Sequence, residues 1–200
     1  NKHPDIDRIL VVGSSGNVGS RLIPILLERG YRVRALQWRT PVEPRDGIEI
    51  VHGNTLDRDA MRKAVEGVDA VCHLIRASSG PGDTSAEKWM NCCIVGTTNL
   101  LEAARECGVV RFVNGSADNV FGHTTMRHLA PLSETHPKRF ADGFYGLFKI
   151  LEEELLHQYH IGFGVPTVVV RFPLIWTPDL LDRCAGALDR DDGSIVERLD

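Results

Sequence analysis

The chain has 200 residues, of which 42% are hydrophobic, and its formal net charge at pH 7 is −4. This length suits one domain with a sizeable core, and the slightly negative balance gives no reason to expect a nucleic-acid partner. The apolar runs have the length of strands, and the first residues lack a signal-peptide core, so neither a transmembrane span nor a leader is expected. The five cysteines form no Cys-x-x-Cys pair, which favours reduced thiols in a cytoplasmic protein over a disulfide framework or a zinc site.

The first half of the chain predicts strands that alternate with helices. Short apolar runs predict strands over 8–12, 31–36, 48–51 and 68–75. Helices are predicted over 17–29 and 57–66, with Asp57 as the N-cap of the second. Pro24 is expected to kink the first helix or to lie in its first turns. Strands and helices in this order predict an α/β protein with a parallel sheet.

The second half continues the pattern with longer elements. It predicts a helix over 84–107, a strand over 109–113, a long loop over 114–141, a helix over 142–160 and a strand over 166–172. The fold class is therefore α/β, a doubly wound parallel sheet of the Rossmann type. Residues 1–178 are interpreted as a dinucleotide-binding domain, and the polar stretch 179–200 as the incomplete start of a substrate-binding region.

A glycine-rich turn, Gly13-Ser-Ser-Gly16-Asn-Val-Gly19, follows the first strand and opens the first helix. In that context the glycines allow a tight turn, a close approach of the backbone to a pyrophosphate, and close packing of helix on strand. The helix N-terminus adds free N–H groups that suit an anion. The turn therefore predicts a dinucleotide site, and an ordinary turn without phosphate is the alternative. The residues between the glycines that we assign to the cofactor are Ser15, Asn17 and Val18.

Tyr145 and Lys149 are four residues apart in the predicted helix 142–160. This spacing puts both side chains on one helix face. A nearby ammonium favours the phenolate, so the pair predicts a tyrosine of lowered pKa that handles a proton during hydride transfer. The alternative is a packing tyrosine beside a surface lysine that pairs with Glu153.

The glycine spacing and the Tyr-x-x-x-Lys pair together resemble the short-chain dehydrogenase/reductase superfamily. Further matches are Val71-Cys-His-Leu74, Gly96-Thr-Thr-Asn-Leu-Leu-Glu-Ala-Ala104, Val120-Phe-Gly122 and Val170-Arg-Phe-Pro173. They are similar to the extended branch, the NAD-dependent epimerase/dehydratases, over nearly all of residues 8–178. The resemblance implies a Rossmann fold and a nucleotide-sugar or sugar-derived substrate, but it does not choose the reaction.

The resemblance also assigns further positions to the cofactor. Gln37 stands where NAD-type members have an acid, so no carboxylate repels a 2′-phosphate, and Arg39 could attract one. This favours NADP slightly over NAD, although Arg39 is nearly as well explained as a solvated surface residue. Asn54 replaces an aspartate on the adenine side and can still accept a hydrogen bond from the adenine amine. The remaining cofactor positions are Thr55, Leu74, Ile75, Arg76, Phe172 and the Tyr145–Lys149 pair.

The third catalytic position departs from the family pattern. The family uses a Ser or Thr to bind the substrate oxygen, and here the aligned position is Ala117. Ser116 lies one residue earlier, and successive strand residues point to opposite faces, so it can serve only after a local twist or a shift of the alignment by one. Asn119 stands where dehydratases of the family have Glu, and Cys93 where the family commonly has Asn. Loss of one oxyanion donor typically costs ~10²–10³ in rate, so a slower enzyme is expected.

The sequence therefore favours an NAD(P)-dependent oxidoreductase, epimerase or dehydratase that acts on a sugar-like hydroxyl or carbonyl. Tyr145 is the acid/base, Lys149 its partner and Ser116 a helper. The alternative is a dinucleotide-binding sensor or scaffold that has lost efficient catalysis. No metal site is expected from the loop histidines 123, 128 and 136. No membrane partner is expected, because the apolar runs have only the length of strands. The resemblance also implies a homodimer and a chain that is either a fragment or has an unusually small substrate lobe.

Overall fold

Six parallel strands form one sheet in the computed structural model, which describes residues 2–76, 85–122, 132–139, 143–178 and 180–182. The spatial order of the strands is β3-β2-β1-β4-β5-β6. Their bounds are β1 Arg8–Val12, β2 Arg32–Gln37, β3 Ile48–His52, β4 Ala70–His73, β5 Arg111–Ala117 and β6 Thr167–Phe172. The direction of winding reverses between β1 and β4, and ligands of such sheets bind outside the carboxyl ends of the strands at that point.

Helices cover both faces of the sheet, as the predicted doubly wound fold requires. Their bounds are α1 Gly19–Glu28, α2 Arg58–Val65, α3 Ala86–Trp89, α4 Gly96–Glu106 and α5 Gly143–Phe163. Side chains alternate along β1, so that Ile9 and Val11 pack with α1 while Leu10 and Val12 pack with the other helices. The predicted cap of α2 is confirmed, because the Asp57 carboxylate accepts a hydrogen bond from the amide of Ala60 at 3.0 Å.

Two elements differ from the sequence prediction. The strand predicted over 109–113 continues to Ala117, because β5 stays paired with β6 up to the contact between Ala117 and Phe172. The long helix predicted over 84–107 is interrupted by a π-helical segment, Met90–Val95, which lies between α3 and α4. Such segments have i→i+5 hydrogen bonds in place of the i→i+4 bonds of an α-helix, and they are frequent at functional sites.

The remaining features concern the ends and the composition of the helices. Pro24 lies in the second turn of α1, where it is accommodated without ending the helix. In the described part of the chain, no helix combines the length and the apolar character needed to cross a membrane. Of the predicted region 179–200, the structure describes only 180–182, so that prediction lies almost wholly outside the described residues.

Candidate functional site

The glycine turn lies against the end of β4. Gly13 has φ +87°, and a Cβ on it would be 2.9 Å from the carbonyl carbon and oxygen of Leu74. A side chain at Gly19 would collide with the backbone of Gly13, so the helix can start this close to the strand only with glycine there. The Ser14 hydroxyl donates a 2.7 Å hydrogen bond to the carbonyl oxygen of Leu36 and ties the turn to β2. The turn thus forms a cradle in which the backbone can approach a phosphate closely.

The outer edge of the cradle is formed by the ends of β2 and β3. The Gln37 side-chain oxygen accepts a 2.8 Å hydrogen bond from the amide of Val42, which leaves its NH₂ group as the outward donor. The Arg39 guanidinium lies 4.0 Å from the ring centroid of Trp38, and both side chains are exposed. The Asn54 side-chain oxygen accepts a hydrogen bond from the amide of Leu56 at 3.1 Å, which leaves it a second lone pair.

Helix α5 brings the tyrosine and lysine to the same edge of the sheet. Lys149 is 2% exposed, and its Nζ donates to the carbonyl oxygens of Gly115 at 2.9 Å and Ile75 at 3.4 Å. Ile75 directly follows Leu74, the residue that the glycine turn contacts. The lysine therefore contacts the residue that follows the one packed against the glycine turn.

Lys149 pairs with a different carboxylate from the one that a surface pair would use. Its Nζ is 2.6 Å from Oε2 of Glu152, whereas Glu153 pairs with Arg171 and Lys138. Burial by itself would lower the pKa of Lys149, but the adjacent Glu152 carboxylate raises it above its usual value. The lysine is a buried cation, and the interpretation as a surface Lys149–Glu153 pair is wrong.

Tyr145 is half-buried between Trp89 and Arg76. Its ring centroid is 5.5 Å from that of Trp89 and 5.7 Å from the Arg76 guanidinium carbon. The sequence predicted a lowered pKa, and this is wrong for the structure: burial raises the pKa of Tyr145 and outweighs the attraction of Lys149 and Arg76. The negative charge of Asp118 raises the pKa of Tyr145 further, because it disfavours the phenolate.

Ser116 faces α5, and its hydroxyl is already engaged. Its Oγ donates a 2.6 Å hydrogen bond to Oε1 of Glu153, and the residue is 4% exposed. Glu153 in turn receives two hydrogen bonds from Arg171. Ala117, at the end of β5, occupies the position that the resemblance gives to the hydroxyl donor, and it is buried. The catalytic role of Ser116 stays a prediction, and its proton is committed to a structural contact.

The π-helical segment lies beside the tyrosine. Cys93 is fully buried with Trp89 and Phe148, and Tyr145 packs against this cluster. A hydrogen bond between the adjacent thiols raises the pKa of Cys93 and lowers that of Cys92. Cys93 at the family's Asn position is therefore a neutral packing residue that narrows the space next to Tyr145.

The other predicted site residues have the following surroundings. Leu74 and Phe172 flank Gly115, with side-chain carbons 3.2 and 3.5 Å from where its Cβ would be. Thr55 is buried, and its carbonyl oxygen accepts a 2.9 Å hydrogen bond from Asn99 of α4. The loop histidines 123 and 128 lie outside the described residues, while His136 packs edge-on against Phe121. No group of three or more potential metal ligands is present in the described ranges.

Sequence reasoning missed the carboxylates under α5. Glu152 and Glu153 are both nearly inaccessible, with exposures of 0% and 3%. They belong to a run of three glutamates, 152–154, and a run of like charges usually indicates a helix face exposed to solvent. The helical period was the available signal, because positions 149, 152, 153 and 156 share the face that contains Phe148.

The order of the strands and the glycine turn at their switch point define a doubly wound protein of the Rossmann type. Comparison with known proteins is more specific. Residues 9–185 match the family model of the NAD-dependent epimerase/dehydratase family, and the chain belongs to this family.

Its relatives include dehydrogenases with different substrates. The chain is 30% identical over 181 residues to 3 beta-hydroxysteroid dehydrogenase/Delta 5→4-isomerase of Mycobacterium tuberculosis, covering 86% of the chain and 48% of the relative. It is 30% identical over 170 residues to uronate dehydrogenase of Pseudomonas putida, covering 82% and 60%. Among solved structures, a short-chain dehydrogenase/reductase superfamily protein from Agrobacterium tumefaciens with bound NAD has a TM-score of 0.76 at 30% identity, covering 96% and 61%. The chain thus spans about half to three fifths of the length of these relatives.

Proposed function

We propose that this chain is the dinucleotide-binding part of an NAD(P)-dependent oxidoreductase, epimerase or dehydratase. The observation that carries the proposal is the continuity from Gly13 through Leu74 and Ile75 to Lys149. It brings a phosphate cradle and a Tyr-Lys pair to one edge of the sheet, and a packing role for either feature does not require this. The uronate and steroid dehydrogenases among the relatives support oxidation of a hydroxyl group.

The residues present fit a nicotinamide dinucleotide. The amides of Ser20, Arg21 and Leu22 already donate to the carbonyl oxygens of Gly16 and Val18. The amides assigned to the pyrophosphate are therefore those of residues 17–19, which lead into α1. Of the three hydrogen bonds that Lys149 donates, the 3.4 Å bond to Ile75 is the weakest, so a ribose hydroxyl would compete for this donor. A bound nicotinamide supplies the hydride acceptor or donor, and this chain supplies the proton transfer.

Tyr145 is the acid/base in this proposal. Since its pKa is raised, the phenol is protonated at neutral pH and can donate its proton to a carbonyl oxygen that is being reduced. Oxidation of an alcohol needs the phenolate, and its rate should therefore increase as the pH rises toward and above 10. Arg76, close to the ring, stabilises the phenolate in that direction.

The end of β2 favours NADP over NAD within the same proposal. The outward group of Gln37 is a donor, and the nearby charge is the Arg39 cation stacked on Trp38. A 2′-phosphate accepts hydrogen bonds and carries negative charge, whereas the two hydroxyls of an NAD ribose are best held by a carboxylate. Tighter binding of NAD than of NADP would contradict this preference.

The substrate proposed is a nucleotide sugar or another sugar-like hydroxyl or carbonyl compound. It is supported by the uronate dehydrogenases, which recur among both curated relatives and solved structures. We also propose a cytoplasmic homodimer that pairs through α5. It is supported by Phe144 and Leu151, which are seven residues apart on one face of that helix and are both exposed.

The second candidate function is a dinucleotide-binding sensor or scaffold with impaired catalysis. It is favoured by a specific observation: Ala117 replaces the hydroxyl donor, and the Ser116 hydroxyl is bound to Glu153. Binding of NAD or NADP without hydride transfer to or from uronic acids, nucleotide sugars or 3β-hydroxysteroids would favour this candidate.

The test is turnover by the complete protein with uronic acids, nucleotide sugars and 3β-hydroxysteroids, each with NAD and NADP. Tyr145→Phe should reduce turnover by ~10²–10⁴-fold and leave dinucleotide affinity unchanged. Tyr159→Phe, which removes a hydroxyl elsewhere on α5, is the matched control and should retain turnover. Equal activity of the Tyr145→Phe variant and the wild type would overturn the proposed mechanism.

A further inference from the structure

Glu152 is a carboxylate with no access to solvent, one helical turn after Lys149. Its Oε2 accepts hydrogen bonds from Lys149 at 2.6 Å and Asn114 at 3.3 Å. Its Oε1 accepts from Thr97 at 3.0 Å and lies 3.4 Å from Nε2 of His73. Both oxygens are thus held by residues of β4, β5 and α4, so the carboxylate is fixed in place and not a flexible surface group.

A lysine at the depth of Lys149 does not hold its proton without a partner. Burial disfavours the charged amine, and fully buried lysines have pKa values as low as ~5–6. The other titratable or charged groups around Lys149 are Tyr145 on the same helix, Cys92 and Cys93 on the π-helical segment, His73 on β4, and Arg76 after β4. Within the described ranges, Glu152 is the carboxylate that is hydrogen-bonded to Nζ.

We propose that Glu152 is the positioning residue that keeps Lys149 protonated and holds its Nζ against the carbonyl oxygen of Gly115. The 2.6 Å contact fixes the ammonium from one side, and the 2.9 Å bond to Gly115 fixes it from the other. A neutral lysine would lose its attraction for the phenolate of Tyr145. The bearing of Glu152 on catalysis rests on the proposed function, but its effect on the ionisation of Lys149 does not.

The mutual effect of Glu152 and Lys149 on their pKa values supports this assignment. Burial would raise the pKa of Glu152, yet Lys149 and His73 lower it to about 2. Each member of the pair therefore stabilises the charged form of the other, and removal of one should make the survivor neutral. Glu152 affects the pKa of Lys149 more than His73 does, because the His73 ring contacts the Glu152 carboxylate and not the Lys149 ammonium.

The experiment measures the unfolding free energy of the complete chain by urea denaturation between pH 6 and pH 11, without substrate or cofactor. Glu152→Gln keeps the size of the side chain and removes its charge. Glu154→Gln makes the same change at an exposed position of α5 and is the matched control. All other titrating groups are shared by the three proteins, so their contributions cancel in the comparison.

The expected curves differ in the sign of their slopes. In the wild type, the pKa of Lys149 is raised, so its stabilising effect is complete below about pH 10 and is lost as the pH rises further. In Glu152→Gln the folded state should bind the lysine proton more weakly than the unfolded state. The folding equilibrium constant should then increase with pH, by up to ~10-fold per pH unit, until the ordinary lysine pKa is reached.

A Glu152→Gln curve parallel to those of the wild type and of Glu154→Gln would overturn the proposal. If Glu152→Gln does not fold, the reciprocal variant Lys149→Met tests the same pairing of Lys149 with Glu152. Without the lysine, the buried Glu152 should bind its proton more tightly than in the unfolded chain, so stability should fall as the pH rises from 4 to 7. Stability that is constant or rises over that range, relative to the wild type, would contradict the pairing. Neither result depends on whether the protein turns over any substrate.

Discussion

Replacement of Gly13 by alanine tests the glycine cradle, and Gly30→Ala provides its matched control. Both glycines have left-handed backbones, with φ of +87° and +82°. A Cβ at Gly30 would have no atom within 4 Å, whereas a Cβ at Gly13 would be 2.9 Å from the backbone of Leu74. The two variants therefore share the cost of the backbone conformation, and only Gly13→Ala adds a clash with the end of β4.

The magnitudes follow from these contacts. A left-handed alanine costs about 1–2 kcal/mol, offset by about 0.4–1 kcal/mol from the less flexible unfolded chain, so Gly30→Ala should lose about 1 kcal/mol. The clash at Gly13 should add about 1–3 kcal/mol because a backbone cannot move away as a side chain does. With about 2–4 °C of Tm per kcal/mol at this chain length, the two variants should separate clearly in a thermal melt.

The clash should also displace the turn and reduce the affinity for the dinucleotide. We expect NADPH to bind at least ~10-fold more weakly to Gly13→Ala, as measured by fluorescence titration, and with wild-type affinity to Gly30→Ala. Equal losses of stability and affinity in both variants would show that Gly13 is needed only for its φ angle. The proposed close approach of the turn to β4 would then play no part in binding.

Three further predictions concern charges. Arg76→Met should raise the pKa of Tyr145 further, because a positive charge near the ring is lost, and the pH profile of alcohol oxidation should move to higher pH. Arg39→Ala should weaken NADPH binding more than NADH binding, and the difference should shrink as salt is added. Arg171→Met should remove about 1–3 kcal/mol of unfolding free energy in urea, because Glu153 is 3% exposed and loses its bidentate partner while it keeps the contacts of Lys138 and Ser116.

Each of these has a contrary outcome that is easy to recognise. An unchanged oxidation profile would mean that Arg76 does not influence the phenolate. Equal weakening of both dinucleotides by Arg39→Ala would assign Arg39 a structural role on Trp38 and not a contact with a 2′-phosphate. A loss below about 1 kcal/mol in Arg171→Met would mean that Lys138 or water compensates Glu153.

The parts of the fold that local sequence determines were predictable. The apolar run at 8–12 and the glycines at 13, 16 and 19 define a buried strand followed by a tight turn, and the structure confirms both. Asp57 caps α2 as predicted, and the helix ends just before Gly67, which has φ of +71°, because a side-chain cap and a left-handed glycine act within a few residues. In each case the physical cause lies in the neighbouring residues.

The parts that tertiary contacts determine were missed. Asn114 and Gly115 favour a loop by propensity, but pairing with β6 keeps them in β5. Residues Met90–Val95 contain neither Pro nor Gly to mark the π-helical segment. The sequence around Glu152 indicates an exposed side chain, but in the folded protein Asn114 and His73 of the sheet contact it and bury it. The predicted lowering of the Tyr145 pKa was also wrong, because tertiary packing buries the phenol and burial disfavours the phenolate.

The central claim is that the glycine turn and the Tyr145–Lys149 helix form one nicotinamide dinucleotide site. The most direct test is a titration of the chain with NADPH and NADH, followed by the fluorescence of the reduced nicotinamide. We expect saturable binding that Lys149→Met weakens and that Glu154→Gln leaves unchanged. Absence of saturable binding of both dinucleotides to the wild-type chain would contradict it.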